Sequence, residues 1–306
     1  MANSSVIDAA RAALGPVGTY LPIAYTDTPP IDQQREAARN LERAGYPTVW
    51  TNETVGGKDA LVQLSILLAA TERVTFGTGI ANIWSRPAQT AQAAAAQLVQ
   101  AYPGRLVLGL GVGYPQQAEA VGREYGNPVS NMRDYLEKMS APTVPPAADV
   151  VFPRILAANR PKMLALAAEL ADGALPVSLP TAVTAQVRQL LGPDKLLVVG
   201  VYVFVDSPDA KPARERARES VAASLARPWF ARAVKSFGYT DQQIADVDDA
   251  LVDTIVAHGA PEAIAATLHA QLAAGADHVV MLPQFGTDLP SGVETLVSLA
   301  PAVLAV

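Results

Sequence analysis

The chain has 306 residues, half of them apolar, with 17% charged and 6% aromatic, enough for one large core or two small ones. Its 23 basic side chains against 29 acidic ones leave a net charge of −6, which excludes a general nucleic-acid binder held by phosphate contacts. The absence of cysteine excludes disulfides, thiolate zinc sites, iron–sulfur clusters and cysteine nucleophiles, so stability must come from packing.

No run approaches the roughly 18 uninterrupted apolar residues of a membrane span, and Asp8 and Arg11 interrupt the stretch where a signal peptide would be apolar. The expectation is a cytoplasmic protein. Along the chain, a first apolar run at 16–21 precedes helical spacing through Ala37, Ala38, Leu41 and Ala44, stopped by Gly45. A strand at 48–50 leads to Leu64, Leu67 and Leu68 at helical spacing, then a strand at 74–80 and an alanine-rich helix at 87–101. Strands at 106–110 and 150–157 flank a Pro-rich loop at 142–148. Met163, Leu166 and Leu170 mark the next helix, followed by strands at 173–177 and 196–205.

The fifty residues from Ser207 to Val256, charged from Lys211 to Glu219, read as an extra helical insertion, with Arg214 to Arg218 a solvated face. Ala260-Pro261-Glu262 then opens a helix through Ile264, Leu268 and Leu272 that Gly275 closes, before an eighth strand at 278–282. Eight βα repeats without a dividing linker predict a single domain over 1–306. Its fold would be α/β, a (β/α)8 TIM barrel with a helical insertion between the seventh strand and the last helix.

Active sites of such barrels lie at the carboxyl ends of the strands. Here those ends read Trp50-Thr51-Asn52-Glu53, Gly77-Thr78-Gly79-Ile80-Ala81-Asn82, Gly109-Leu110-Gly111-Val112-Gly113-Tyr114 and Ala157-Ala158-Asn159-Arg160-Pro161-Lys162. Their small residues suit either a flat, large ligand or close rim packing. The three histidines, His258, His269 and His278, offer no cluster for a metal at the mouth and read as structural. Neither a G-x-G-x-x-G nor a Walker A pattern fits the glycines. Pro161 at a first helical turn leaves the amides of Lys162, Met163 and Leu164 to face an anion, beside the charges of Lys162 and Arg160.

In their order and spacing, Ala44-Gly45-Tyr46 to Glu53, Ala70 to Ile80, Gly104 to Gly113, Pro161-Lys162-Met163, Ala171-Asp172-Gly173, and Gly259 to Glu262 with Ala274 to Val280 resemble the luciferase-like monooxygenase superfamily. The closest resemblance is to its branch of oxidoreductases dependent on the deazaflavin coenzyme F420. The resemblance implies a deazaflavin, or alternatively FMN, across the barrel mouth, against Gly79, Ile80, Ala81 and Asn82 and against Gly111, Val112 and Gly113. It also implies a non-prolyl cis peptide at Gly79–Ile80 and a cofactor phosphate on Ala157, Ala158, Asn159, Arg160, Lys162 and Met163. The sugar-phosphate dehydrogenases of the family carry an Asp-His pair where this chain has Asn52-Glu53-Thr54, so their substrate is not carried over.

The expected activity is hydride exchange between F420 and a small organic substrate with a carbonyl, alcohol or activated double bond. Glu53 is the candidate acid or base, or else a rim carboxylate satisfied by backbone amides, with Asn82 and Tyr114 as hydrogen-bonding partners. The rival expectations are an FMN-dependent monooxygenase and a non-catalytic flavin-binding protein on the same barrel. Ala91 and Ala93 to Ala96 suggest a smooth helix face for a homodimer, with a partner's second and third helices implied by the resemblance, or else an alanine face lying on the barrel.

Overall fold

A computed structural model describes residues 4–207, 211–283 and 288–305. Eight parallel strands close a barrel in the order β1 (Val17–Tyr20), β2 (Thr48–Thr51), β3 (Thr75–Thr78), β5 (Leu106–Gly111), β6 (Arg154–Ala157), β7 (Gly173–Leu175), β8 (Leu196–Val205) and β10 (His278–Pro283), with β10 pairing both β8 and β1. The two-residue β4 (Ala81–Asn82) resumes the line of β3 after Gly79–Ile80 and pairs with the upper half of β5. β9 (Val256–Gly259) lies outside the barrel; it pairs with the upper end of β8, beyond the residues that β7 occupies.

All eight predicted strands are present. β4 and β9 are additions that two- and four-residue apolar stretches do not announce. The helix Leu289–Val303 that ends the chain is also an addition, so the insertion precedes the barrel's seventh helix, Pro261–Ala273, and the last helix follows β10. The strands read as near-continuous apolar runs because a parallel barrel buries both faces. Inward residues Tyr20, Trp50, Val107, Ile155, Leu175, Val198 and Val280 pack with Ile7, Ala10 and Leu14 of the helix Ser4–Leu14, which plugs the amino-terminal end. Arg11 of that helix is tied to Asp277, which also receives Arg188 and the Leu197 amide.

Within the insertion, the helices Ala213–Leu225, Pro228–Ser236, Asp241–Asp246 and Asp249–Ile255 build their own core from Ala217, Val221, Phe230, Val234, Leu251 and Ile255 against Phe204 of β8. Its basic run is not merely a solvated face, because Arg214 pairs with Asp249 and Asp253, and Arg218 with Asp249, across the helices. The alanine helix, Ala88–Ala101, follows the second of its two readings, an alanine face on the barrel. Ala91, Ala95 and Ala96 lie fully buried against the protomer's own barrel, and only Ala93 and Ala94 remain half-buried. The outward apolar surface is instead on the helix Ala60–Ala70, where Val62 and Ala69 are exposed. No helix among the described residues is long and apolar enough to cross a membrane.

Candidate active site

The barrel is filled at one end and small-lined at the other. At its floor, the Trp50 indole N–H donates to His278 Nε2 at 3.1 Å, and His278 Nδ1 lies 2.7 Å from the Gly15 carbonyl, which fixes a neutral imidazole with its proton on Nδ1. Burial pushes the His278 pKa down to about 4. A Cβ on Gly18 would lie 2.8 Å from the His278 ring and one on Gly77 2.2 Å from the Trp50 ring, so both glycines are required by the plug.

One turn of the pleat higher, the inward positions become Gly79, Gly111 and Ala157. Space at these glycines is shared with neighbours of the same chain, since a Cβ on Gly79 would meet the Tyr20 hydroxyl at 1.8 Å and one on Gly111 the Ile80 side chain at 2.5 Å. Tyr20 donates to the Gly79 carbonyl at 3.1 Å. The Gly79–Ile80 peptide is cis, as the resemblance implied, and Gly79 and Ile80 are half-exposed at the mouth. Gly113 has a positive φ of 53° and turns the chain under Gln117.

Alternation of side chains along a strand carries one step past β2, so Asn52 follows Trp50 to the lumen side and Glu53 follows Val49 and Thr51 to the helix side. Asn52 is 8% exposed; its Nδ2 reaches only the Ile23 carbonyl at 3.4 Å, and its buried Oδ1 has no hydrogen-bond partner among the described residues. Buried acceptors are normally satisfied, so an orphan facing a mouth is open to a ligand's donor. Burial raises the pKa of Tyr20, and the nearby phenols of Tyr25 and Tyr202 raise it further; burial likewise raises Tyr202, so both hydroxyls stay protonated as donors. Tyr202 packs against both the barrel lumen and the insertion's core, which brings the insertion to the rim.

The other predicted residues fall into two groups. Ala81 and Asn82 form β4; Asn82 is held by Gln117 through its Nδ2 and by the Trp84 amide through its Oδ1, both at 3.0 Å. Val112 accepts the Trp84 indole N–H at 2.8 Å. Across the mouth, Asn159 is spent on Val177, giving and taking one bond of 2.9 Å each with its backbone. Ala158 and Met163 are buried in the outer core, while Ala157 is half-buried. Arg160 and Lys162 are exposed, and no hydrogen bond of either side chain to a described residue is seen. The expected trio of open amides is reduced, because Met163 and Leu164 both donate to the Arg160 carbonyl, at 3.0 and 2.9 Å, and Lys162 alone is left in that turn.

Glu53 meets donors on both oxygens: the Ala60 amide at 3.0 Å and Arg86 on one, the Asn82 amide at 2.5 Å and Arg86 at 3.4 Å on the other. These contacts match the rim-carboxylate reading. Arg86 escaped the sequence reading, as did Asn52 in its inward role. Alternation from Trp50 was the usable signal for Asn52, whereas nothing local marks Arg86.

The luciferase-like monooxygenase family model matches residues 15–278. The chain belongs to the luciferase-like monooxygenase family. Among curated relatives it is similar to a protein of Mycobacterium tuberculosis whose assignment as a coenzyme F420-dependent oxidoreductase is provisional, at 30% identity over 191 residues, 51% of this chain and 54% of that one. It is also 27% identical over 172 residues to the 5,10-methylenetetrahydromethanopterin reductase of Methanolobus tindarius, 50% of this chain and 52% of that one. The chain thus spans about half the length of the curated relatives it matches. Among solved structures, the FMN-bound oxygenating constituent of 3,6-diketocamphane monooxygenase from Pseudomonas putida has a TM-score of 0.71 at 14% identity, covering 94% of this chain and 97% of that one. At that identity the likeness shows the barrel alone.

Proposed function

We propose that this family member is an F420-dependent oxidoreductase acting in the cytoplasm on a small organic substrate with a carbonyl, alcohol or activated double bond. The observation that carries the reading is the contrast within the lumen, a plugged floor beneath a mouth lined by Gly79, Ile80, Gly111 and Ala157 with the orphan Asn52 acceptor among them. A flat ring system fits such a mouth better than a bulky branched one, and the relative at 30% identity favours F420 over FMN. Ile80 and the Gly111–Gly113 turn would support the ring, and the exposed cations Arg160 and Lys162 would face an anionic tail. When bound, F420 would supply the hydride chemistry. The protein's own part is to orient the ring and to exclude water above the Trp50–His278 floor, with the neutral Tyr20 phenol holding the Gly79 carbonyl in place.

As a homodimer, the protomers would meet through Val62 and Ala69 of the helix Ala60–Ala70, with Ala93 and Ala94 alongside; a monomer mass by sedimentation at micromolar concentration would overturn this. Fluorescence-quenching titrations with F420 and with FMN test the cofactor, the expected result being saturable binding of F420 and much weaker binding of FMN. The reverse preference would make the protein a flavin-dependent monooxygenase. Tight F420 binding without oxidation of the reduced cofactor by any carbonyl or enone in a spectrophotometric screen would leave a non-catalytic binder.

A further inference from the structure

We propose that Glu53 and Arg86 form a positioning clamp that sets the Gly79–Asn82 segment at the barrel mouth, and that Glu53 is therefore not the acid or base of the reaction. The cofactor consequence rests on the F420 reading above; the clamp itself does not.

Glu53 brackets the segment twice. Its backbone N–H donates to the Ile80 carbonyl at 3.2 Å, and its Oε2 accepts from the Asn82 amide at 2.5 Å. Those two bonds hold the backbone on either side of Ala81, next to Ile80, whose side chain lies over Gly111. The remaining donors, Ala60 N–H and the two guanidinium nitrogens of Arg86, bring each carboxylate oxygen to two. A carboxylate has about four lone-pair positions, so this one has none left to take a substrate proton. The Glu53 side chain is also fully inaccessible, and by strand alternation it lies on the helix side, opposite to Asn52.

Arg86 closes the arrangement. Its side chain is 9% exposed and bridges Glu53 to Asp59 at 2.7 Å, and Asp59 in turn caps the helix Ala60–Ala70 by accepting from Leu61 and Val62 at 3.0 Å each. Tyr135 donates to the Arg86 carbonyl at 3.2 Å, fixing the backbone from which the guanidinium extends. The end of β2, the segment after β3 and the starts of two helices are thus joined through one ion pair. A pair so buried contributes little net stability when intact, but removing one partner strands the other, so the geometry it imposes is sensitive to either residue.

The test compares wild type with Arg86→Met, which keeps the apolar stem, and Arg86→Lys, which keeps a charge for Glu53 but gives up Asp59. F420 affinity by fluorescence quenching and hydrogen exchange of peptides spanning 79–84 are read together. The clamp predicts that Arg86→Met binds F420 about tenfold more weakly and exchanges faster at 79–84 while peptides of the Trp50–His278 floor stay protected. Arg86→Lys should recover about half of each. If Arg86→Met does not fold, the intermediate loss expected of Arg86→Lys, about threefold in affinity with a smaller rise in exchange confined to 79–84, is the supporting result. Wild-type affinity with wild-type exchange overturns the clamp, as does a uniform rise in exchange across the barrel without a local excess. If wild type binds neither F420 nor FMN, the cofactor reading fails, and local exchange alone then supports or overturns the clamp.

Discussion

The floor and the mouth of this barrel are built on the same strands, two to four residues apart, yet obey opposite rules. At the floor, Trp50, His278 and the helix Ser4–Leu14 fill the lumen, and the polar atoms of the plug are paired: indole to imidazole, imidazole to carbonyl. At the mouth, the inward positions shrink to glycine and alanine, and Asn52 keeps a buried oxygen without a partner among the described residues. The difference teaches where stability and binding are each concentrated. Packing density at the floor stabilises the fold, whereas unsatisfied capacity at the mouth is a standing cost that a ligand can offset.

The largest effect should come from emptying the floor. Trp50→Ala removes the central side chain of the lumen and the donor to His278, and a loss of about 3–5 kcal/mol in chemical denaturation is expected; a loss below 1 kcal/mol would mean that the floor is not the structural end. Acid should reach the same place more gently. Because His278 holds its pKa near 4 when folded against 6.5 ordinarily, the unfolded chain binds the extra proton first. The neutral imidazole's contribution is thus complete above pH 6.5 and declines as pH falls towards 4. The decline should be about 3 kcal/mol over that window, and a His278→Gln variant should lack it whatever its absolute stability.

At the mouth the balance reverses. Asn52→Ala should weaken F420 binding about tenfold, or 1.4 kcal/mol, while shifting stability by less than about 1 kcal/mol, since no strong hydrogen bond is lost. Paired titration and urea unfolding check this; a large stability loss at unchanged affinity would make Asn52 an extension of the core. The smallest effect belongs to the exposed cations. Arg160→Ala and Lys162→Ala should each reduce affinity only a few-fold, about 0.3–1 kcal/mol, and the difference should fade at ~0.5 M salt with melting temperature unchanged.

Much of the fold could be read from the sequence because barrel strands, buried on both faces, leave uninterrupted apolar runs bounded by glycine and proline. Runs such as 196–205 and 278–282 coincide with β8 and nearly with β10. β9 is only four residues long and pairs at the margin of the barrel, so no period distinguishes it from a loop. In the site, the glycine-rich strand ends were legible as a rim, but the choice between ligand space and neighbour packing was not. Gly79 and Gly111 turn out to be hemmed in by Tyr20 and Ile80, residues from other strands or from across the bulge.

The sequence by itself determined the class of the protein: the βα period, the order of the strand ends, the absence of cysteine and the position of the insertion all depend on local spacing or composition. Only the tertiary structure decided what the charged and polar residues do. Glu53 and Asn52 are adjacent, and of the two only Glu53 read as a candidate for chemistry; the pleat sends it towards Arg86, thirty-three residues away, and Asn52 into the lumen. The alanines of the helix Ala88–Ala101 likewise suited a partner's surface or the barrel behind them, and the barrel takes Ala91, Ala95 and Ala96. Side-chain pairing across such separations depends on register and facing, and these are fixed only when the barrel closes, through the pairing of β10 with β8 and β1.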